Sequence, residues 1–293
     1  MLRVRTHTRR CGFFILAVSI ACAAPRERHG LRDQTGAIVP SGPVTRIISL
    51  APDVTELAFA VGAGARLVAV PVTADYPAQA SHLRRVDPGD LESVVALRPD
   101  LVLATTAGND FRIVARARAL GLAVFCTDVT SFARLAESCR LVAAVVGCEP
   151  RGTQLAAEIG ARVAALERAS SALPRRTALY VAWWEPLIVA APGTFHDDLL
   201  LRAGLANLAP RSGGRYPRLD PETLLDPRLE VVVVPDEPDM RDGFTHLLST
   251  TAGSHLRARA LRTIWLPAGP ANRPGPRLVD ALAALVLARE REP

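Results

Sequence analysis

The side chains best suited to holding a ligand are few and widely separated: Tyr76, Trp183, Trp184, Tyr216 and Arg273. Tyr76, Tyr216 and Arg273 fall in expected loops, where position favours contact over packing. A flat indole suits the face of a flat conjugated ligand. Trp183 and Trp184 end an apolar run, so alternation along a strand turns one toward a cleft and the other into a core. Bond-making chemistry is poorly provided for. His196-Asp197-Asp198 is the one cluster of metal-ligand types, but adjacent residues at a helix start diverge, and helix capping explains them better. No Gly-x-Ser-x-Gly, phosphate loop, dinucleotide fingerprint, His-Glu-x-x-His or Cys-x-x-Cys is present. His82, His246 and His255 lack a visible acid–base partner. The chain therefore reads as a binder without catalytic residues, metal or cofactor.

Two distant stretches show what must position these groups. Leu91 to Ala104 and Pro221 to Val234 are built alike. Each begins as a short helix with a Leu/Val stripe and an acidic first turn, and a proline stops it. Each then enters an apolar run without polar alternation, the pattern of a strand buried on both faces of a parallel sheet. The fold class is α/β: two α/β lobes with mainly parallel sheets, joined by a single long backbone helix. Clefts between lobes are where small ligands bind.

Residues 25–43 read as a linker ending in a hairpin at Gln34-Thr35-Gly36, and 44–149 as the first lobe. There Arg46–Leu50 and Leu67–Val70 are strands. Asp53 caps a helix through Val61, with Glu56 completing a capping box and Gly62 ending it. Helices from Asp110 to Leu120 and from Ser131 to about Val146 flank a strand at Ala123–Cys126. The connecting helix occupies 150–174: Leu155, Ile159, Val163 and Leu166 mark one face of a segment ~33 Å long at 1.5 Å per residue. The second lobe, 175–293, holds strands at Ala178–Trp184 and Thr263–Leu266, and helices near Asp197–Ala203 and Pro276–Arg289.

Residues 1–24 read as a secretory signal: four arginines, an apolar run from Gly12, and small residues before Pro25. Ser19-Ile20-Ala21-Cys22 is similar to a lipoprotein cleavage box without its usual Leu, making Cys22 a candidate lipidation site in the periplasm. All 35 basic residues are Arg, and losing Arg3, Arg5, Arg9 and Arg10 takes the formal charge from +6 to +2. No basic block is interleaved with aromatics, which argues against nucleic-acid binding. Cys126, Cys139 and Cys148 remain; the last two lie too far apart on one helix to bridge, and Cys126 could meet either only if packing allows.

The run Arg46-Ile47-Ile48-Ser49-Leu50-Ala51-Pro52-Asp53-Val54-Thr55-Glu56-Leu57 resembles the substrate-binding proteins of cobalamin and iron-siderophore importers. Asp75-Tyr76-Pro77, Arg98-Pro99-Asp100-Leu101-Val102, Ala203-Gly204 with Asn207, and Tyr216-Pro217 extend the resemblance from about residue 31 to the end. It implies an exported receptor that captures a cobalamin-like corrinoid and delivers it to the membrane permease subunit of an ABC importer. A ferric siderophore or haem is the alternative ligand, and a two-lobed hydrolase or chelatase the distant alternative. The resemblance implies ligand contacts at Pro52, Tyr76, Trp183, Trp184, Tyr216 and Arg273, and docking through Glu56. The expected second-lobe glutamate falls near Leu201, so Asp197 or Asp198 stands in for it. Two features depart from the cobalamin-binding members: Asp87-Pro88-Gly89 replaces a tryptophan often present there, and Gly269 replaces an acid four residues before Arg273.

Overall fold

Apolar runs without polar alternation become the inner strands of two parallel sheets. In the computed structural model, which describes residues 30–40, 42–249, 253 and 261–291, all five residues of Leu101–Thr105 are buried, as are the first five of Val231–Asp236. The signal segment and Cys22 lie outside the described residues.

The first lobe begins with an antiparallel pair, β1 (Leu31–Arg32) and β2 (Ile38–Val39), turned through Gly36 at φ 86°. There follow β3 (Ile47–Ser49), α1 (Pro52–Ala60), β4 (Leu67–Pro71), β5 (Arg84–Val86), α2 (Leu91–Ala96), β6 (Leu101–Thr105), α3 (Phe111–Ala119), β7 (Val124–Thr127) and α4 (Phe132–Val145). Helix α5 (Glu149–Ser171) crosses to the second lobe. That lobe holds β8 (Arg176–Trp184), β9 (Leu187–Val189), α6 (Phe195–Arg202), β10 (Leu205–Asn207) and a 3-10 turn at Pro221–Leu225. It ends with β11 (Val231–Asp236), α7 (Pro238–Ser249), β12 (Arg262–Pro267), α8 (Ala268–Asn272) and α9 (Leu278–Glu290).

The first-lobe sheet runs β5-β4-β3-β6-β7, all parallel; the second runs β10-β8-β11-β12, also parallel, with β9 added antiparallel to β8. The two lobes thus repeat one topology. β3 and β8 are the first inner strands, β4 and β10 their neighbours on one side, β6 and β11 on the other, and β7 and β12 beyond those. Helices α1 and α6 correspond, as do α4 and α9. The sequence repeat is α2–β6 against the 3-10 turn–β11.

One apolar layer runs unbroken from lobe to lobe. Leu155, Ile159 and Val163 of α5 are buried in a cluster that contains Leu135 and Val142 of α4 and also Leu282 and Leu285 of α9. Each lobe keeps a second, separate cluster on the other face of its sheet. Close approach of α4 and α5 needs Gly152, where a Cβ would stand 2.2 Å from that of Ala143 and 2.6 Å from the Cys139 carbonyl oxygen. Cys126 and Cys139 are buried free thiols, so they do not bridge each other.

Some local expectations need correction. Asp53 does not cap α1: Ala51 is the capping residue, without a side-chain cap bond, and Pro52 opens the helix. Glu56 therefore closes no capping box. The Pro221 segment is a 3-10 turn rather than an α-helix, capped by Asp220. Thr194, ahead of Asp197, caps α6 by accepting from the Asp197 N–H. The strands β9 and β10 and helix α7 were not legible as periodic segments because their apolar runs are short.

Bending a continuous helix breaks backbone hydrogen bonds, and here it would also split a shared core. Small-angle scattering before and after adding cobalamin should give nearly the same radius of gyration. A change of many ångströms would show that α5 and its apolar layer do not hold the lobes.

Candidate functional site

Ligands of open parallel sheets bind at the carboxyl ends of the strands, and both lobes turn those ends toward each other. Loops after β3, β4 and β7 meet loops after β10 and β12. Gly275 is one close approach, where a Cβ would lie 3.3 Å from the Asp53 carbonyl oxygen.

The strongest link is Glu56, on α1 of the first lobe, whose side chain is only 2% exposed. Arg277, just ahead of α9 in the second lobe, donates to it from Nε (2.8 Å) and Nη2 (2.5 Å). This fork-on-carboxylate geometry is among the strongest polar contacts proteins make. Arg273 Nη1 lies 3.4 Å from the same carboxylate and also binds Asp75. The Arg277 guanidinium sits 3.8 Å from the centre of the Tyr76 ring, a cation–π contact. Glu56 is thus buried and held by two second-lobe arginines.

A second link repeats the first. Asp128, after β7, pairs with Arg215, after β10, at 3.0 Å. Since β4 corresponds to β10 and β7 to β12, Asp75–Arg273 and Asp128–Arg215 are pseudo-two-fold equivalents, with the acid always from the first lobe. Asp198 of α6 accepts from the Phe132 N–H at the start of α4 (2.7 Å), as Glu56 of α1 accepts from the approach to α9. Asp198 also pairs with Arg202 at 2.9 Å. Asp197 accepts from the Gly193 N–H and the Asn207 amide. Both aspartates are therefore engaged in intramolecular bonds.

Between α1, the loop after β4, α5 and the start of α9 lies a cavity of about 540 Å³, lined by Glu56, Phe59, Tyr76, Ile159, Arg162 and Arg277 among others. Tyr76 is 44% exposed, and its second-lobe counterpart Tyr216 is 40% exposed. Tyr216 is held by a relay. The Ala271 carbonyl can only accept, so His196 Nε2 donates to it (3.1 Å), leaving Nδ1 to accept from the Tyr216 hydroxyl (3.2 Å). Burial drops His196 to about 3 and pushes the Tyr216 phenol, whose hydroxyl end is enclosed, up to about 12. The ring position is thereby fixed while one face stays open.

The tryptophans sit elsewhere. Trp184 packs in the second-lobe core 5.1 Å from the ring of Phe244, and Trp183 is 41% exposed with Nε1 donating to the Glu185 carbonyl. The pair lines a groove with α7 residues Met240, Gly243 and His246 rather than with first-lobe side chains. Alternation along the strand holds, but the exposed member faces α7. Pro52 is half-buried at the start of α1. Arg277, Asp75, Asp128 and Arg215 were not singled out from sequence as a set. Asp75 and Arg215 were signalled by adjacency to Tyr76 and Tyr216, and Arg277 by its four-residue spacing from Arg273, while Asp128 carried no signal.

The chain matches the model of the periplasmic binding protein family over residues 47–262. It is 29% identical over 248 residues to a vitamin B12-binding protein of Vibrio cholerae serotype O1 (strain M66-2), covering 82% of this chain and 87% of that one. A vitamin B12-binding protein of Yersinia pestis (strain Pestoides F) is 31% identical over 200 residues, covering 67% and 71%. Among solved structures, the periplasmic vitamin B12 binding protein of Vibrio cholerae superposes with a TM-score of 0.72 at 27% identity, over 85% of this chain and 99% of that one. A periplasmic haem-binding protein from Roseiflexus sp. RS-1 gives 0.72 at 26%, over 84% and 99%.

Asp53 supplies a pH test of the interlobe seam. Burial pushes its carboxyl up to about 6, against a hydrogen bond from Thr105 and helped by the nearby Glu56 charge. The folded state thus holds a proton that the unfolded state releases above about 4, and this group's contribution to stability falls as pH rises from about 4 to about 6. His196 acts oppositely, so the variant must be compared with the parent at each pH. Asp53→Asn should be more stable than the parent by roughly 2–3 kcal/mol above pH 6, from a shift near two units, with the gap closing toward pH 4. A pH-independent difference in thermal unfolding would refute the assignment.

Proposed function

The chain belongs to the periplasmic binding protein family, and from that premise we propose that it captures a cobalamin-like corrinoid between its lobes and hands it to the membrane permease of an ABC importer. The carrying observation is the tyrosine pair. Each lobe supplies one half-exposed tyrosine from the loop after the corresponding strand, β4 or β10, a placement suited to a flat macrocycle entered from both sides. The relatives named for vitamin B12 direct the choice of macrocycle. Haem is the second reading, favoured by the Roseiflexus protein.

Binding without turnover is the expected activity. At the cleft, Tyr216 and His196 are displaced far from the neutral range where acid–base catalysts work. Asp53, nearest to that range, is walled behind Gly275. Export through the leading segment, with a lipid anchor at Cys22, belongs to the same proposal.

Delivery needs carboxylates on the outside, and the repeated units supply them. Glu92 in the first turn of α2 and Glu222 in the corresponding 3-10 turn are both exposed, each beside a capping aspartate. They replace Glu56, Asp197 and Asp198 as the docking pair in this reading.

Calorimetric titration of the mature protein should show saturable binding of cyanocobalamin, left chemically unchanged. Tyr76→Ala and Tyr216→Ala should each weaken it about tenfold or more, the loss of one stacked ring with its buried area. No corrinoid binding would sink the proposal. For docking, Glu92→Gln and Glu222→Gln should each weaken association with the permease several-fold and leave corrinoid affinity alone, as expected for charges desolvated on docking. Unchanged association in the double variant would rule out this surface.

A further inference from the structure

Three guanidiniums reach the cleft, from Arg215, Arg273 and Arg277, and three carboxylates meet them, from Asp128, Asp75 and Glu56. We propose that these carboxylates set ligand specificity: by neutralising the arginines they make the cleft select a macrocycle rimmed by uncharged amides over one bearing carboxylates. The inference rests on the cleft reading above and concerns what separates its two ligand classes, a corrin with an amide rim and a haem with two propionates.

The physical basis is competition for the same donors. A ligand carboxylate gains little at a guanidinium already bound by a carboxylate. It must displace that group or sit beside it, and like charges at short range repel. The two aspartates are held in their ionised form. The hydrogen bond from Arg273 holds Asp75 below its ordinary range. Burial works against Asp128, but bonds from Arg215 and Thr106 outweigh it. Glu56 is fixed by two arginines.

An amide fares differently. Each guanidinium has five N–H donors, so donors remain for an amide oxygen beside the existing pairs. The amide N–H groups can in turn reach a carboxylate: Asp75 is bound to Arg273 through Oδ1 alone and its side chain is 71% exposed. The pseudo-two-fold arrangement matters too. Asp75–Arg273 and Asp128–Arg215 mask two second-lobe cations, and unmasking both would create two cationic positions, the number two propionates need.

The test compares haemin with haemin dimethyl ester, which share the same iron, so axial ligation cancels in their ratio. Absorbance titrations of the mature protein and of D75N/D128N would give Kd for haemin, its dimethyl ester and cyanocobalamin. Wild type should bind the ester about tenfold more tightly than haemin, and the double variant should lose or invert that preference. Cyanocobalamin affinity should change less than threefold. D75N alone, at an exposed side chain, should show a smaller shift in the same direction and covers the case in which the double variant misfolds. An ester-to-acid ratio unchanged from wild type in a folded variant would overturn the proposal, as would absence of binding of either haemin form to any of the proteins. Failure of wild type to bind cyanocobalamin would instead remove the corrinoid reading, and the haemin ratio would still decide the role of the carboxylates.

Discussion

The apolar layer shared along α5 is the constraint on which the rest of this structure depends. Because Leu155, Ile159 and Val163 belong to one core with α4 and α9, the two sheets are held at a set separation before any cleft residue is considered. Only at such a separation can a carboxylate on α1 and a guanidinium ahead of α9 meet as a fork. Burying two charges is costly, and the cost is recovered only with good geometry. The Glu56–Arg277 pair has that geometry, and removing Arg277 would leave the buried Glu56 carboxylate with the longer contact to Arg273 alone.

The duplicated topology assigns different work to the same position in each lobe. Acids on the first helix of each lobe, Glu56 on α1 and Asp198 on α6, look inward and fasten one lobe to the start of the other's last helix. Acids in the next helical turn, Glu92 and Glu222, face outward. In the proposed reading a docking partner meets Glu92 and Glu222, while a ligand entering between the lobes meets groups that are already paired. Docking and capture can then be tuned separately.

The fold was legible in the sequence where periodicity was long or where a proline forced a boundary. The α5 stripe, the Leu91 and Pro221 units and the buried β6 and β11 runs needed no tertiary information. The cleft was legible only in part. Tyr76, Tyr216 and Arg273 were recognisable as loop residues of the right chemistry, but Trp183 and Trp184 were not separable from core and α7 packing, because a two-residue aromatic run at a strand end carries no period. Glu56 misled for a physical reason. Its spacing from Asp53 fits a capping box, yet the chain caps the helix two residues earlier, at Ala51, and the freed carboxylate finds arginines more than 200 positions away.

That distance explains why charge pairing across a cleft resists sequence reading while matters of compartment and class do not. A secretory pattern or a missing catalytic motif is local. A neutralised arginine differs from a free one only by which loop the other lobe brings against it. The same residues, Arg215 and Arg273, would read as anion receptors on the sequence alone. With Asp128 and Asp75 set against them they become donors for uncharged oxygen acceptors. Specificity in this cleft is therefore a property of the pairing between lobes, which exists only because a single rigid helix and its shared core hold the two halves in register.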